Sequence, residues 1–195
     1  MQLIAILGAG YFAMEVTDLI GDIGGIEIIG YIVNQTGNML CKPIITAEQL
    51  PDSVKMIGAM IAQERMSFIK EMEAHEFISV IHPSSSISIS ATTCDGVVIN
   101  RLVAIASHVR VGKHVVINRC AAIGHHTEIG DYSTVGPGVN IAGNVEIDEN
   151  VFIGMGANIL EGRQIGKGAY ISAGSVVTKD VPDYGKMAGR RWTSQ

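Results

Sequence analysis

The sequence predicts a two-part chain: an α/β unit over residues 1–80, then a parallel β-helix of hexapeptide repeats over residues 81–181, with a tail over 182–195. Three observations carry that expectation. Ile or Val recurs every six residues from Ile81 to Val177, and Thr93 is the one exception. Four residues after each of these the side chain is usually small or Val, as at Val97, Val115, Thr127, Ser133 and Ala157. Gly makes up 23 of 195 residues while aromatics are only 5%, a balance suited to narrow, repetitive β layers.

The elements follow in order. LIAILG (3–8) reads as a short buried strand. GAGYFAMEVTDLIGDIG follows as a turn and an amphipathic helix, with Phe12, Val16, Leu19, Ile20 and Ile23 at mixed three- and four-residue spacing. EIIGYIVN (27–34) is a second strand, SVKMIGAMI (53–61) a third, and ERMSFIKEMEAHE (64–76) a helix. Strand–helix–strand units of this length imply parallel pairing with right-handed crossovers. From residue 81 no helical period reproduces the unbroken six. Each hexapeptide is one short strand plus a corner, and Gly138, Asn144, Asn150, Gly156, Gly162, Gly168 and Gly174 supply residues that tolerate the φ > 0 a corner needs. The Ile and Val side chains point inward and stack on their equivalents one coil away, so stability sums along a one-dimensional stack. The period is lost in VVTKDVPDYG (176–185), where Pro182 marks the exit.

The bulk numbers exclude several classes. A net charge of −5 argues against a nucleic-acid surface, which needs clustered Lys and Arg. No apolar run approaches the roughly 20 residues of a membrane span. MQLIAILGAG lacks a cationic segment and reads as a strand, not a signal peptide. Cys41, Cys94 and Cys120 are odd in number, fit no zinc spacing, and suggest a reducing cytoplasm.

The repeat resembles that of hexapeptide-repeat acyltransferases with a left-handed β-helix. GAG after the first strand, IHPSS (81–85), IGHHTEIGD, IAGNV and GSVVTKDVP narrow the resemblance to sugar O/N-acetyltransferases of the NeuD/PglD/PerB type. That resemblance implies a small Rossmann-like domain over 1–80 that binds a nucleotide-linked sugar acceptor. It also implies a β-helix that binds acetyl-CoA as acyl donor, with no metal, and a homotrimer with its sites in the clefts between subunits.

Acetyl transfer needs a base for the acceptor's proton and a donor for the tetrahedral oxyanion. A neutral imidazole suits the first role and a backbone N–H the second. By resemblance the base is His125, two residues past the inward Ile123. His126 fills the slot where relatives carry Asp or Glu to orient the base. His108 lies 18 residues before His126, so the two should stack at one corner; two ligands from one chain do not close a zinc site. Gly143, one coil beyond His125, would offer its N–H to the thioester carbonyl. Thr134 occupies a position where many relatives have a second His. Met155 and Ala173, read as further along the same wall as His125, match positions along the pantetheine arm. Lys179, with Lys186, Arg190 and Arg191, would meet the phosphates. On the acceptor side the candidates are Gly8, Gly10, Tyr11 and Phe12 in the turn after the first strand, and Asn34 after the second. Relatives read Gly-Gly-His in that turn and Asp after the second strand; these departures leave the domain fold as an expectation and set the nucleotide apart from it as an open question. Arg65 is a further anion partner. An acceptor other than a nucleotide sugar, and a non-catalytic trimeric scaffold, are the competing readings.

Overall fold

The computed structural model describes residues 1–33, 43–51, 53–60, 64–189 and 191–193. It divides into two compact units, Met1–Val80 and Ile81–Gln195.

The first unit is a four-stranded parallel sheet. Its strands are β1 (Gln2–Leu7), β2 (Ile26–Ile32), β3 (Ile44–Ile45) and β4 (Lys55–Gly58), in the order β3-β2-β1-β4. Helix α1 (Tyr11–Ile23) joins β1 to β2, and α2 (Glu64–Glu71) follows β4. Along α1 the buried residues Phe12, Ala13, Val16, Leu19 and Ile20 form the stripe that the sequence spacing predicts. The helix ends at Gly24, whose φ of 71° admits its N–H to the Ile20 carbonyl. The second helix stops at Glu71, short of the predicted 76, and the strand expected over 53–61 is confined to Lys55–Gly58. A length of about 80 residues suits three or four strands, but the position of β3 is not readable from the sequence, because two residues carry no period.

The second unit is a parallel β-solenoid of two-residue strands on three walls. The first wall runs from Val80–Ile81 through Val98–Ile99, Val116–Ile117, Thr134–Val135, Phe152–Ile153 and Tyr170–Ile171 to Lys186–Ala188. The second holds Ala104–Ile105, Ala122–Ile123, Asn140–Ile141, Asn158–Ile159 and Val176–Val177 after Ser86–Ile87. The third stacks Thr92–Thr93, Arg110–Val111, Glu128–Ile129, Glu146–Ile147 and Gln164–Ile165. Partners are 18 residues apart, as in Arg110 with Glu128 and Ala122 with Asn140. Three hexapeptides therefore make one coil. The core is a ladder of Ile and Val, among them Ile117, Ile123, Val135, Ile141, Ile153 and Ile171. Each such side chain contributes about 1.5–3 kcal/mol when removed from water. The stack does not end at Pro182. Lys186–Ala188 pairs in parallel with Tyr170–Ile171, and Arg191–Thr193 closes the wall antiparallel.

Corners fall on a strict register. Every sixth residue from Gly96 to Gly174 has φ > 0, and Leu102, His108, His114, Cys120, His126 and Tyr132 occupy it alongside Gly and Asn. A left-handed backbone costs most side chains about 1–2 kcal/mol, and His and Asn are among those that enter it most readily.

Candidate active site at the His125 corner

His125 and His126 occupy the corner between the strands Ala122–Ile123 and Glu128–Ile129. Both are exposed. His126 is the left-handed residue, with φ 58°, and its N–H donates to the Ser107 carbonyl at 3.0 Å. His125 stands one residue before it, on a column that continues to Gly143, Glu161 and Lys179.

Two couplings set the geometry. The imidazole of His125 lies on Gly143: a Cβ there would run into His125 Cε1 and stand 2.7 Å from Nε2. Gly143 has no positive φ; Asn144 does. The missing side chain at 143 therefore makes room for the ring and is not required by the turn. The other coupling is lateral, with His125 Nδ1 3.3 Å from His126 Nδ1. His126 in turn packs beside His108, with ring centroids 4.8 Å apart and planes tilted by 41°.

The corner is clamped from inside. The buried Thr127 hydroxyl donates to the Ala142 carbonyl at 3.0 Å and accepts from Val145 N–H at 3.4 Å. Asn144 N–H donates to the His125 carbonyl at 2.8 Å. These bonds bind the His125 corner to the Gly143 corner. Thr127 was legible in the sequence only as an inward small residue. The Gly143 N–H donates to no acceptor among the described residues, and Gly143 itself is buried beneath the His125 ring.

Beside this corner the second wall carries a groove of about 610 Å³, lined by Ala104, Ala122, Gly124, Asn140, Ala142 and Leu160. Ala104, Ala122, Gly124 and Ala142 keep most of its floor low, so an extended chain can lie against the wall beside Leu160. A larger hollow of about 980 Å³ covers the third wall, where Arg110 pairs with Glu128 at 2.7 Å and Gln164 donates to Glu146 at 3.1 Å. No cluster of three or more His, Cys, Asp or Glu is placed to hold a metal among the described residues.

Not every expected residue joins this corner. Met155 and Ala173 sit after first-wall strands, at the opposite edge of the second wall from His125, which corrects the expectation of one shared wall. The reason is register: 155 and 125 differ by 30, which is not a multiple of 18. Met155 is 63% exposed there. Thr134 lies on the first wall and is 6% exposed. Lys179 is exposed in the His125 column.

In the first unit, Gly8 has φ 115°, and a Cβ would come within 2.7 Å of the Ala59 carbonyl oxygen. Only Gly fits that turn. Gly10 caps α1 with no side-chain bond, and Tyr11 is exposed at its start. Phe12 belongs to the core at 5% exposure, so its side chain is not offered to a ligand, a correction forced by the helical stripe. Arg65 is also buried, and desolvation lowers its pKa to about 10. Asn34, Cys41, Ile61–Gln63 and Arg190 lie outside the described residues.

Fold and repeat together define the class. Residues 144–179 match the family model described as "Bacterial transferase hexapeptide (six repeats)". Comparison with curated proteins gives no match. Among solved structures, the chain is similar over its length to the acetyltransferase domain of PglB from Neisseria gonorrhoeae in complex with acetyl coenzyme A. The identity there is 24%, covering 100% of this chain and 99% of that one, with a TM-score of 0.90. PerB from Caulobacter crescentus, in complex with CoA and GDP-perosamine, is 25% identical over 97% of this chain and 98% of that one, TM-score 0.85. WeeI from Acinetobacter baumannii is 24% identical over 99% of each chain, TM-score 0.87. The resemblance drawn from the motifs thus extends to the fold of the whole chain.

Proposed function

We propose that this chain is an acetyl-CoA-dependent acetyltransferase acting on an amino or hydroxyl group of a sugar, with His125 as general base. The observation that carries the reading is the exposed His125 imidazole seated on Gly143, in a fold shared along its length with sugar acetyltransferases. His125 Nε2 takes the proton of the acceptor amine or hydroxyl as that atom attacks the thioester carbonyl. The Gly143 N–H donates to the oxyanion. Collapse breaks the C–S bond, and the proton on His125 passes to the departing CoA sulfur. No acyl-enzyme forms in this reading: among the described residues no Cys or Ser side chain is hydrogen-bonded to His125 or His126, the exposed Ser107 meeting His126 only through its carbonyl.

The small-residue groove on the second wall suits the pantetheine arm, and Lys179 the CoA phosphates. Met155, Ala173 and Thr134 reach the same donor only from a neighbouring subunit, which is the reason for proposing a homotrimer around a left-handed solenoid. The parallel sheet over 1–80, with Gly8, Gly10, Tyr11 and Asn34, is the proposed Rossmann-like acceptor domain, and the acceptor is a nucleotide-linked sugar such as the GDP-perosamine bound by PerB. No helix among the described residues is long and apolar enough to cross a membrane, and the exposed thiols of Cys94 and Cys120 suit a cytoplasmic enzyme.

The test is thiol release from acetyl-CoA across UDP-, GDP- and dTDP-linked amino sugars and free sialic acids, beside His125→Ala. Loss of at least about a hundredfold in kcat is expected. Full activity in the variant sinks the base assignment, no release with any acceptor sinks the enzyme, and a stable monomer sinks the shared site.

A further inference from the structure

We propose that His126 sets the tautomer of His125, and that one proton on this pair of imidazoles, on either ring, silences the base. The inference rests on the base role proposed for His125. It starts from the 3.3 Å contact between the two Nδ1 atoms. Such a contact is a hydrogen bond only if one ring donates from Nδ1 and the other accepts there. For His125 Nε2 to accept a proton, His125 must donate from Nδ1, and His126 must accept at Nδ1 while keeping its own proton on Nε2.

His126 is held for this task by two coils. Its left-handed backbone is tied to Ser107, and its ring packs beside His108. His108 shares the left-handed conformation, and its N–H donates to Ser90 Oγ at 3.1 Å. The groups around the pair are His108 on the preceding coil, Asn144 with its partner Glu161 on the following coils, and Glu128 on the adjoining strand, itself paired with Arg110.

A proton entering the pair has two places to go. On His125 it makes an imidazolium, with no lone pair at Nε2. On His126 it makes an imidazolium that donates from Nδ1; His125 must then accept at Nδ1, and its remaining proton moves to Nε2. Either way Nε2 is blocked. A carboxylate partner opens only the first route, because it stays an acceptor as the imidazole titrates.

The experiment is long-range 1H–15N NMR of the full-length protein without substrate, with His126→Gly and His126→Asn beside it. Both residues accept the φ of 58° at this position, and Asn144 and Gly162 hold the same corner on the next coils. Asn Oδ1 stands as many bonds from Cα as His Nδ1, so it keeps the acceptor while losing the titration. Above the titration, the His125 proton is expected on Nδ1 in the native protein and in His126→Asn, and on Nε2 in His126→Gly. On acidification, Nε2 of His125 is blocked in the native protein by a proton on either ring, and in His126→Asn only by a proton on His125 itself. In turnover, His126→Gly loses about tenfold in kcat with KM for acetyl-CoA unchanged, and His126→Asn recovers most of it. A native His125 protonated on Nε2, or a tautomer indifferent to His126→Gly, overturns the inference. The NMR readout needs no turnover. The expected tautomers in a protein that transfers no acetyl group would overturn the enzymatic reading and leave the pairing intact.

Discussion

Gly143 separates two reasons for a glycine at a corner. Its backbone needs no left-handed freedom, and a Cβ there would strike the ring of His125. That ring is exposed and can yield, so Gly143→Ala is expected to change the melting temperature little while moving the base off its position. Misplacement of about 1 Å commonly costs a hundredfold, so kcat should fall by about ten- to a hundredfold. Gly124→Ala is the contrast, since its Cβ would stand 2.6 Å from both the Ala142 carbonyl oxygen and Gly143 N. Backbone cannot yield cheaply, and a loss of about 1–3 kcal/mol in stability is expected. Thermal melts and thiol release on the two variants check both halves. Native kcat in Gly143→Ala would mean that the ring works from elsewhere. His125 was legible in the sequence because a short motif and a six-residue count both select it. The bond between the two rings was not, because side-chain direction at a corner depends on a φ that the pattern does not state.

The corner register is where this solenoid departs from economy. Gly and Asn fill it from Gly138 onward, but Leu102, Cys120 and Tyr132 carry a left-handed backbone without the tolerance of Asn. Leu102 is 63% exposed and gains little from burial. Leu102→Asn is therefore expected to raise stability by about 0.5–1 kcal/mol, read as a shift in the chemical denaturation midpoint with unchanged slope. A fall would mean that Leu102 is covered by something absent from the single chain. The elements themselves were unequally legible. The inward Ile and Val ladder could be counted from Ile81 to Val177 because each side chain faces the same environment in every coil. In the first unit the long amphipathic helix α1 was legible, but β3 and the ends of β4 and α2 were not. Short edge elements are fixed by neighbours distant in sequence, such as the Tyr31–Ile44 pairing, and not by local pattern.

The two units have separate cores, so ligands bound to each should leave separate traces. The solenoid is a one-dimensional stack in which each coil is tied to its neighbours, for example through Thr127 to Ala142 and Ser133 to Asp148. A donor seated along the second wall at the His125 corner would bridge several coils at once. At about a hundred times its Kd, a ligand that binds only the folded form adds about 2.7 kcal/mol to the stability of the segment that holds it. Acetyl-CoA is therefore expected to slow hydrogen exchange across the coils from about residue 104 to 179. Exchange in β1, α1 and β2 should stay as in the free protein. A nucleotide-linked amino sugar should slow exchange at the β1–α1 turn around Gly8 and Gly10, and at the His125 corner if its acceptor group reaches the base. Exchange followed by mass spectrometry resolves the segments. Protection by acetyl-CoA confined to residues 1–80 would reverse the proposed division of labour. Protection of the His125 corner by the nucleotide sugar alone would place the acceptor, and not the donor, on the second wall.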